Sequence, residues 1–230
     1  LTGPTANATI AATLSHQVNV MSTDPERSQR ALALFDAANA ADPNRETVAG
    51  SEIAKELLYS QRMSAMLARF APEATEVVKL AVHAQHIERW KVPRSNYTLD
   101  RAGYLQWRTG LYKFHAETAG RLMRAAGYDE AAITAVQLAI GKKGLKANPD
   151  TQLLEDVIGL TFIEHYMVDF AARHPEYDEA KWLNIIRKTW AKMSVRGQEF
   201  ALAGKIQLPE ALLPLILQAV RGEKDGDALA

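Results

Sequence analysis

The sequence predicts an all-α protein, a single helical-bundle domain of about eight helices. Three observations carry that expectation. Apolar residues recur at helical spacing, as Tyr59, Met63, Met66 and Phe70 do, and as Val77, Leu80, Ala81, Ala84 and Ile87 do. The breaks between such segments are helix stop and start signals, among them Asp42-Pro43-Asn44, Pro72, Gly127 and Pro149-Asp150. No stretch alternates apolar and polar residues as a half-buried strand would, and no internal repeat is visible.

The elements follow in order. Residues 1–20 carry no Asp, Glu, Lys or Arg and precede Met21. They are expected to be a disordered or vector-derived extension, with the folded domain over 21–222 and a frayed tail over 223–230. Thr23-Asp24-Pro25-Glu26 fits a capping box with proline just inside the helix, which should run to about Ala41. A polar loop around Gly50 leads to a second helix. Pro72 separates it from a third, whose apolar stripe extends to Ile87. Lys91 to Tyr97, around Pro93, reads as a connection.

Asp100 to Ala126 is a fourth helix ended by Gly127, and Gly103, Gly110 and Gly120 mark where a kink would fall. Asp129 caps a short helix through Ile140, closed by Gly141 and Gly144. Pro149-Asp150 opens a long one to Ala172, with Leu153, Val157, Leu160, Glu164 and Met167 on one face. Two more follow, at about 178–193 and 209–221.

Composition excludes several function classes. Lys plus Arg equals Asp plus Glu at 27 each, so no global field steers the chain to nucleic acid or membrane. There is no cysteine, which removes disulfides, thiolate metal ligands and a Cys nucleophile. No apolar run reaches the 18 or so residues of a membrane helix, and no secretory signal is recognisable. A cytoplasmic location is therefore expected.

Local patterns carry the chemistry. His83 and His86 are spaced i,i+3, His115 lies in the fourth helix, and Asp156 and Glu164-His165 lie in the long one. Imidazole and carboxylate together are the ligand set of Fe, Mn or Zn. Residues 89–113 hold Arg89, Lys91, Arg94, Arg101, Arg108 and Lys113 against the single acid Asp100, interleaved with Trp90, Tyr97, Tyr104, Trp107 and Tyr112. Arg101, Arg108 and His115 recur every seven residues and would line one stripe. Such a segment suits phosphate forks and stacked rings, although a solvated face with cross-helix ion pairs is the more common use of one. Lys142, Lys143 and Lys146 form a second basic cluster, and Arg187, Lys188, Lys192 and Arg196 a third.

The order Tyr59-Ser60-Gln61-Arg62, Gln85-His86, His115-Ala116-Glu117 and Asp156-Val157-Ile158 resembles HD-domain phosphohydrolases and their oxygenase relatives. That resemblance implies an HD-domain-like bundle with His86, His115 and Asp156 near its centre. Tyr59 replaces the opening His, Gln85-His86 stands where His-Asp is usual, and Ile158 occupies the last ligand position. A closer resemblance covers about residues 30–200. Phe35-Asp36-Ala37-Ala38-Asn39, Lys55-Glu56-Leu57-Leu58-Tyr59, Gln85-His86-Ile87-Glu88-Arg89-Trp90, Asp100-Arg101-Ala102-Gly103-Tyr104 and Lys188-Thr189-Trp190-Ala191-Lys192-Met193-Ser194 are similar to the family named domain of unknown function 4202. Lys192-Met193-Ser194 is also similar to the start of a class I aminoacyl-tRNA synthetase loop. Val195 follows it, however, and no strand–turn–helix nucleotide fold accompanies it, so that activity is not expected.

The expectation is thus a central pocket for a small anionic ligand, phosphorylated or nucleotide-like. Tyr59, Gln85, Arg89, Trp90, Arg94, Arg101 and Lys143 would bind it, and His86, His115 and Arg108 would act on it if the protein is a hydrolase. Two routes stay open: water activated by a divalent metal on His83, His86, His115 and Asp156, or His86 or His115 as a metal-free general base. The alternatives are a non-catalytic module for nucleic acid or nucleotide on the same scaffold, and an oligomerising scaffold.

Overall fold

The structure, a computed structural model, describes residues 25–221; the expected extension and tail lie outside them, as do the capping residues Thr23 and Asp24. Within this span the chain is mostly helical. Helix α1 (Pro25–Ala40) is followed by a hairpin, β1 (Arg45–Val48) and β2 (Ser51–Ala54), then α2 (Lys55–Phe70) and α3 (Glu76–His83). Two 3₁₀ turns, Arg89–Lys91 and Arg94–Asn96, lead to α4 (Arg101–Ala125), α5 (Glu130–Ile140) and α6 (Pro149–Thr161). Next come α7 (Met167–Ala172), α8 (Glu179–Trp190), α9 (Val195–Leu202) and α10 (Leu213–Arg221).

The short polar side chains at the helix starts explain most boundaries. Thr75, Asp100, Asp129, Asn148, Asp178 and Ser194 each accept a hydrogen bond from a backbone N–H in the first turn. Each such cap stabilises its helix by about 1 kcal/mol. Helix α3 sits centrally, packed by α1, α2, α5 and α6. Its Val78, Leu80, Ala81 and Val82 are essentially inaccessible, and full burial of a Val or Leu side chain contributes about 1.5–3 kcal/mol. Helices α4 and α5 approach closely at Gly120, where a Cβ would meet Gln137 Nε2 at 2.3 Å. That glycine is a contact surface, and α4 continues without a break through all three of its interior glycines.

Four expectations are corrected. The polar loop around Gly50 is an antiparallel hairpin with Arg45 opposite Ala54 and Val48 opposite Ser51. Its turn places both Ala49 (φ 50°) and Gly50 (φ 80°) in the left-handed region, the geometry that matches strand twist in two-residue hairpins. The third helix stops at His83 and does not reach Ile87, because the Asn39 side chain accepts the Glu88 N–H at 2.9 Å and Glu88 turns to φ 51°. The long helix expected to run to Ala172 is interrupted by a π turn at Phe162–Tyr166, which separates α6 from α7. Glu164 makes a bidentate pair with Arg69 at 2.8 and 2.9 Å. Finally, α9 is an additional helix, opened by Ser194.

Candidate functional site

The early end of α3 shapes the site. His83 is the last helical residue and points away from the segment that follows. Its Nδ1 lies 2.8 Å from Ser64 Oγ and its Nε2 2.8 Å from Asp36 Oδ1, a clamp joining α1, α2 and α3. Because a carboxylate only accepts, Nε2 carries the proton and Ser64 O–H donates to Nδ1. These three side chains line a separate recess of about 470 Å³, together with Leu67, Pro72 and Lys79. Gln85, His86 and Arg89 lie beyond the helix end, on successive tight turns that aim them elsewhere.

They meet α4, α6 and α8 at a cavity of about 490 Å³. Gln85, His86 and Arg89 form one wall, and Trp107, Arg108 and His115 of α4 another. Lys142 reaches in from the loop after α5, Glu155 from α6, Lys188 from the last turn of α8 and Lys192 from just beyond it. Phe162 in the π turn and Phe170 on α7 complete an apolar side. Five cationic side chains thus face one carboxylate.

The two imidazoles are neutral. Burial, and then the charges of Arg89 and Lys142, hold His86 well below the usual imidazole value. Burial also holds His115 well below that value, aided by His86, whose ring centre is 5.8 Å away. Nδ1 of His115 donates to the Ile87 carbonyl at 2.8 Å, which leaves Nε2 with a bare lone pair; that atom is buried and has no hydrogen-bond partner among the described residues. Nε2 of His86 lies 3.4 Å from Arg89 Nη1 and accepts from it, while Nδ1 faces Glu56 Oε2 at 3.5 Å. Burial pushes the Glu56 carboxyl up to about 7 against the pull of Arg89. Tyr59 stacks on His86 at 4.0 Å and donates its O–H to Gln85 Oε1 at 2.8 Å, so what Gln85 can offer the cavity is its amide N–H.

The cations are held apart from carboxylates. Arg89 lies over the Trp107 ring at 4.8 Å, and Trp107 is itself fixed by donating to the Val92 carbonyl. Arg108 donates to the phenol oxygens of Tyr112 (2.8 Å) and Tyr104 (3.3 Å). Among the described residues, Lys142 is the one of these cations with an ion-paired acid, Glu155 Oε2 at 2.5 Å, and it reaches it from a left-handed backbone (φ 54°). A non-glycine residue in that region costs about 1–2 kcal/mol, and such strain clusters at functional sites.

Other sequence candidates lie elsewhere. Asp156 accepts from Ser194 N and Oγ, both at 2.6 Å, and from Gln152 Nε2 at 3.0 Å, tying α6 to the start of α9. Arg94 folds onto the carbonyls of Tyr97 and Asp100. Arg101 and Lys143 are exposed, and Trp90 packs beside Lys91; none of these lines the cavity. Its neighbour Lys142 takes the place expected of Lys143. Glu155, which sequence reasoning passed over, takes the place beside Asp156.

The expected metal set is therefore split: His86 and His115 face the cavity, His83 and Asp156 do not. Among the described residues no group of three or more His, Asp or Glu side chains is arranged to hold a metal ion. The five cations around the two imidazoles would also repel one. The residues present do not fit the metal that the HD-domain resemblance implied.

The profile of a family described as "Domain of unknown function (DUF4202)" matches residues 29–216. The chain belongs to this family. The match runs from α1 into α10 and includes every residue of the cavity. Comparison with curated proteins and with solved structures gives no match. No helix among the described residues is long and apolar enough to cross a membrane.

Proposed function

We propose that this DUF4202 protein binds a small anionic, phosphorylated or nucleotide-like ligand in the cavity between α4, α6 and α8. One observation carries the reading: Arg89, Arg108, Lys142, Lys188 and Lys192 converge on a single recess with one acid among them. Cations gathered in a partly desolvated pocket repel one another, and the arrangement is stable at lower cost when an anion occupies it. A guanidinium fork such as Arg108 suits phosphate, and the aromatic wall suits a flat or apolar appendage.

The chemistry this site supports is hydrolysis. His115 Nε2, a neutral base held in one tautomer, would take a proton from water as the water oxygen bonds to phosphorus and the ester P–O bond breaks. The proton on His115 would then pass to the departing alkoxide, and Arg108 would stabilise the negative charge that develops on phosphoryl oxygen. The reading is tested by calorimetric titration of the full chain with inorganic phosphate and adenosine monophosphate. Arg108→Ala should weaken either by about tenfold or more, since charge-assisted hydrogen bonds are the strong ones. An affinity unchanged in Arg108→Ala would remove the cavity as the site. A phosphate-ester turnover assay, with His115→Ala as its control, then tests the hydrolytic step.

A further inference from the structure

We infer that the ligand carries two linked phosphates, a diphosphate, on an organic group that lies against the aromatic wall; this rests on the anion-site reading above and narrows it. One of the five cations is already matched within the protein. Lys142 is neutralised by Glu155 at 2.5 Å. Among the described residues, Arg89, Arg108, Lys188 and Lys192 have no carboxylate within ion-pair distance, so the cavity wall keeps an excess of up to four positive charges, reduced at Arg89 by the field of nearby Glu56.

Their proximity is visible at Lys192. Its ammonium is held below the usual lysine value by burial first, then by Arg108; Glu155 opposes this, and Lys142 and Lys188 add to it. A phosphate monoester carries about −1.5 to −2 at neutral pH, which answers roughly half of that charge. A second linked phosphate adds roughly one further charge or more and brings the sum close to balance.

Placement agrees with charge. The four cations come from three separate parts of the chain: Arg89 from a 3₁₀ turn, Arg108 from the N-terminal half of α4, and Lys188 and Lys192 from the last turn of α8 and the segment just after it. A single phosphate is a compact target, met by one fork and a neighbour. Cations spread around a wall suit an extended anion with two centres. The volume, about 490 Å³, also leaves room beyond the phosphates, within the range of pockets that enclose whole small molecules. That remaining room is bounded by Trp107, Ile158, Phe162 and Phe170, side chains that can cover a nucleobase or a hydrocarbon chain.

The test is calorimetry on the full chain at fixed ionic strength, with inorganic orthophosphate, inorganic pyrophosphate, citrate, adenosine diphosphate and geranyl diphosphate. Pyrophosphate should bind at least about tenfold more tightly than orthophosphate and than citrate, which matches its charge without phosphate geometry. One of the two organic diphosphates should exceed pyrophosphate, and which one does assigns the wall to a base or to a hydrocarbon. In Lys188→Ala/Lys192→Ala the preference for pyrophosphate should fall to within about twofold while orthophosphate still binds, which also shows that the variant is folded. Equal affinity for orthophosphate and pyrophosphate, or citrate binding as tightly as pyrophosphate, overturns the diphosphate and leaves the anion site standing. Organic diphosphates no tighter than pyrophosphate overturn the organic group. No binding of any probe overturns both readings.

Discussion

His115 Nδ1 donates to the carbonyl oxygen of Ile87 across 2.8 Å, and this one contact decides what the other side of the ring can do. Ile87 is fully buried in the segment just past α3, so its carbonyl is a fixed acceptor. The imidazole is thereby held as the Nδ1–H tautomer, with Nε2 a lone pair in a recess.

His115 should consequently stay neutral through the range in which a free imidazole titrates, around pH 6.5. Long-range ¹H–¹⁵N correlation spectra should show one tautomer, with Nε2 unprotonated, from mildly acid to mildly basic solution. Its depressed value in the fold means that its contribution to stability is present above pH 6.5 and lost as pH falls. A midpoint for His115 near the ordinary imidazole value would show that the ring is hydrated and not locked.

Glu56 should have the opposite sign. Its carboxyl is raised from 4.5 to about 7, chiefly by burial, so the folded state binds the proton more tightly than the unfolded chain does. Its contribution is fully present below pH 4.5, falls as pH rises to about 7, and is absent above that. Glu56→Gln cannot ionise. Relative to the parent protein, its stability should rise across that window by up to about 3 kcal/mol, measured by urea denaturation at several pH values. A difference between the two proteins that does not change with pH would contradict this origin.

Asp156 should behave as a strap. It is buried, and its three hydrogen-bond contacts all go to protein groups on α6 and at the start of α9. A Cβ at Gly197 would approach its Cγ to 3.1 Å, so the two helices already meet closely there. Asp156→Ala should destabilise the fold by about 3 kcal/mol, because Ser194 and Gln152 lose a charged acceptor together. Phosphate affinity measured well below the variant's Tm should stay within about twofold of the parent. A loss of affinity with unchanged Tm would instead place Asp156 in the site.

The helices were legible because their boundaries are local. Asp129 and Gly141 bracket α5 in the sequence as they do in space. The end of α3 was not, since Ile87 continues the apolar phase and the residue that stops the helix is Asn39, 49 positions away. The hairpin escaped because its strands are four residues long and its turn is Ala49-Gly50, a weaker signal than Asn-Gly. In the site, His86, Arg89, Arg108 and His115 stood out through local density of charge and aromatic rings. The exchange of Lys143 for Lys142 depends on one left-handed φ, and that of Asp156 for Glu155 on the rotation of α6 about its axis. Neither is encoded in residue type.

Glu155 gives the sharpest separation between the site's function and its stability. It is the one acid on the cavity wall, 5% exposed, and its partner Lys142 is strained to reach it. Glu155→Gln removes a negative charge that an incoming anion must otherwise face, and frees Lys142 to meet that anion. Affinity for inorganic phosphate should rise, by several-fold to about tenfold. Lys142→Ala does the reverse: it leaves Glu155 buried without its partner and should destabilise the fold by about 3–5 kcal/mol while weakening phosphate binding. Opposite movements of affinity in the two variants, read by calorimetry, would mark Glu155 as the internal stand-in for the ligand. If Glu155→Gln weakened binding, the carboxylate would have to contact the ligand directly, and a purely anionic occupant would be excluded.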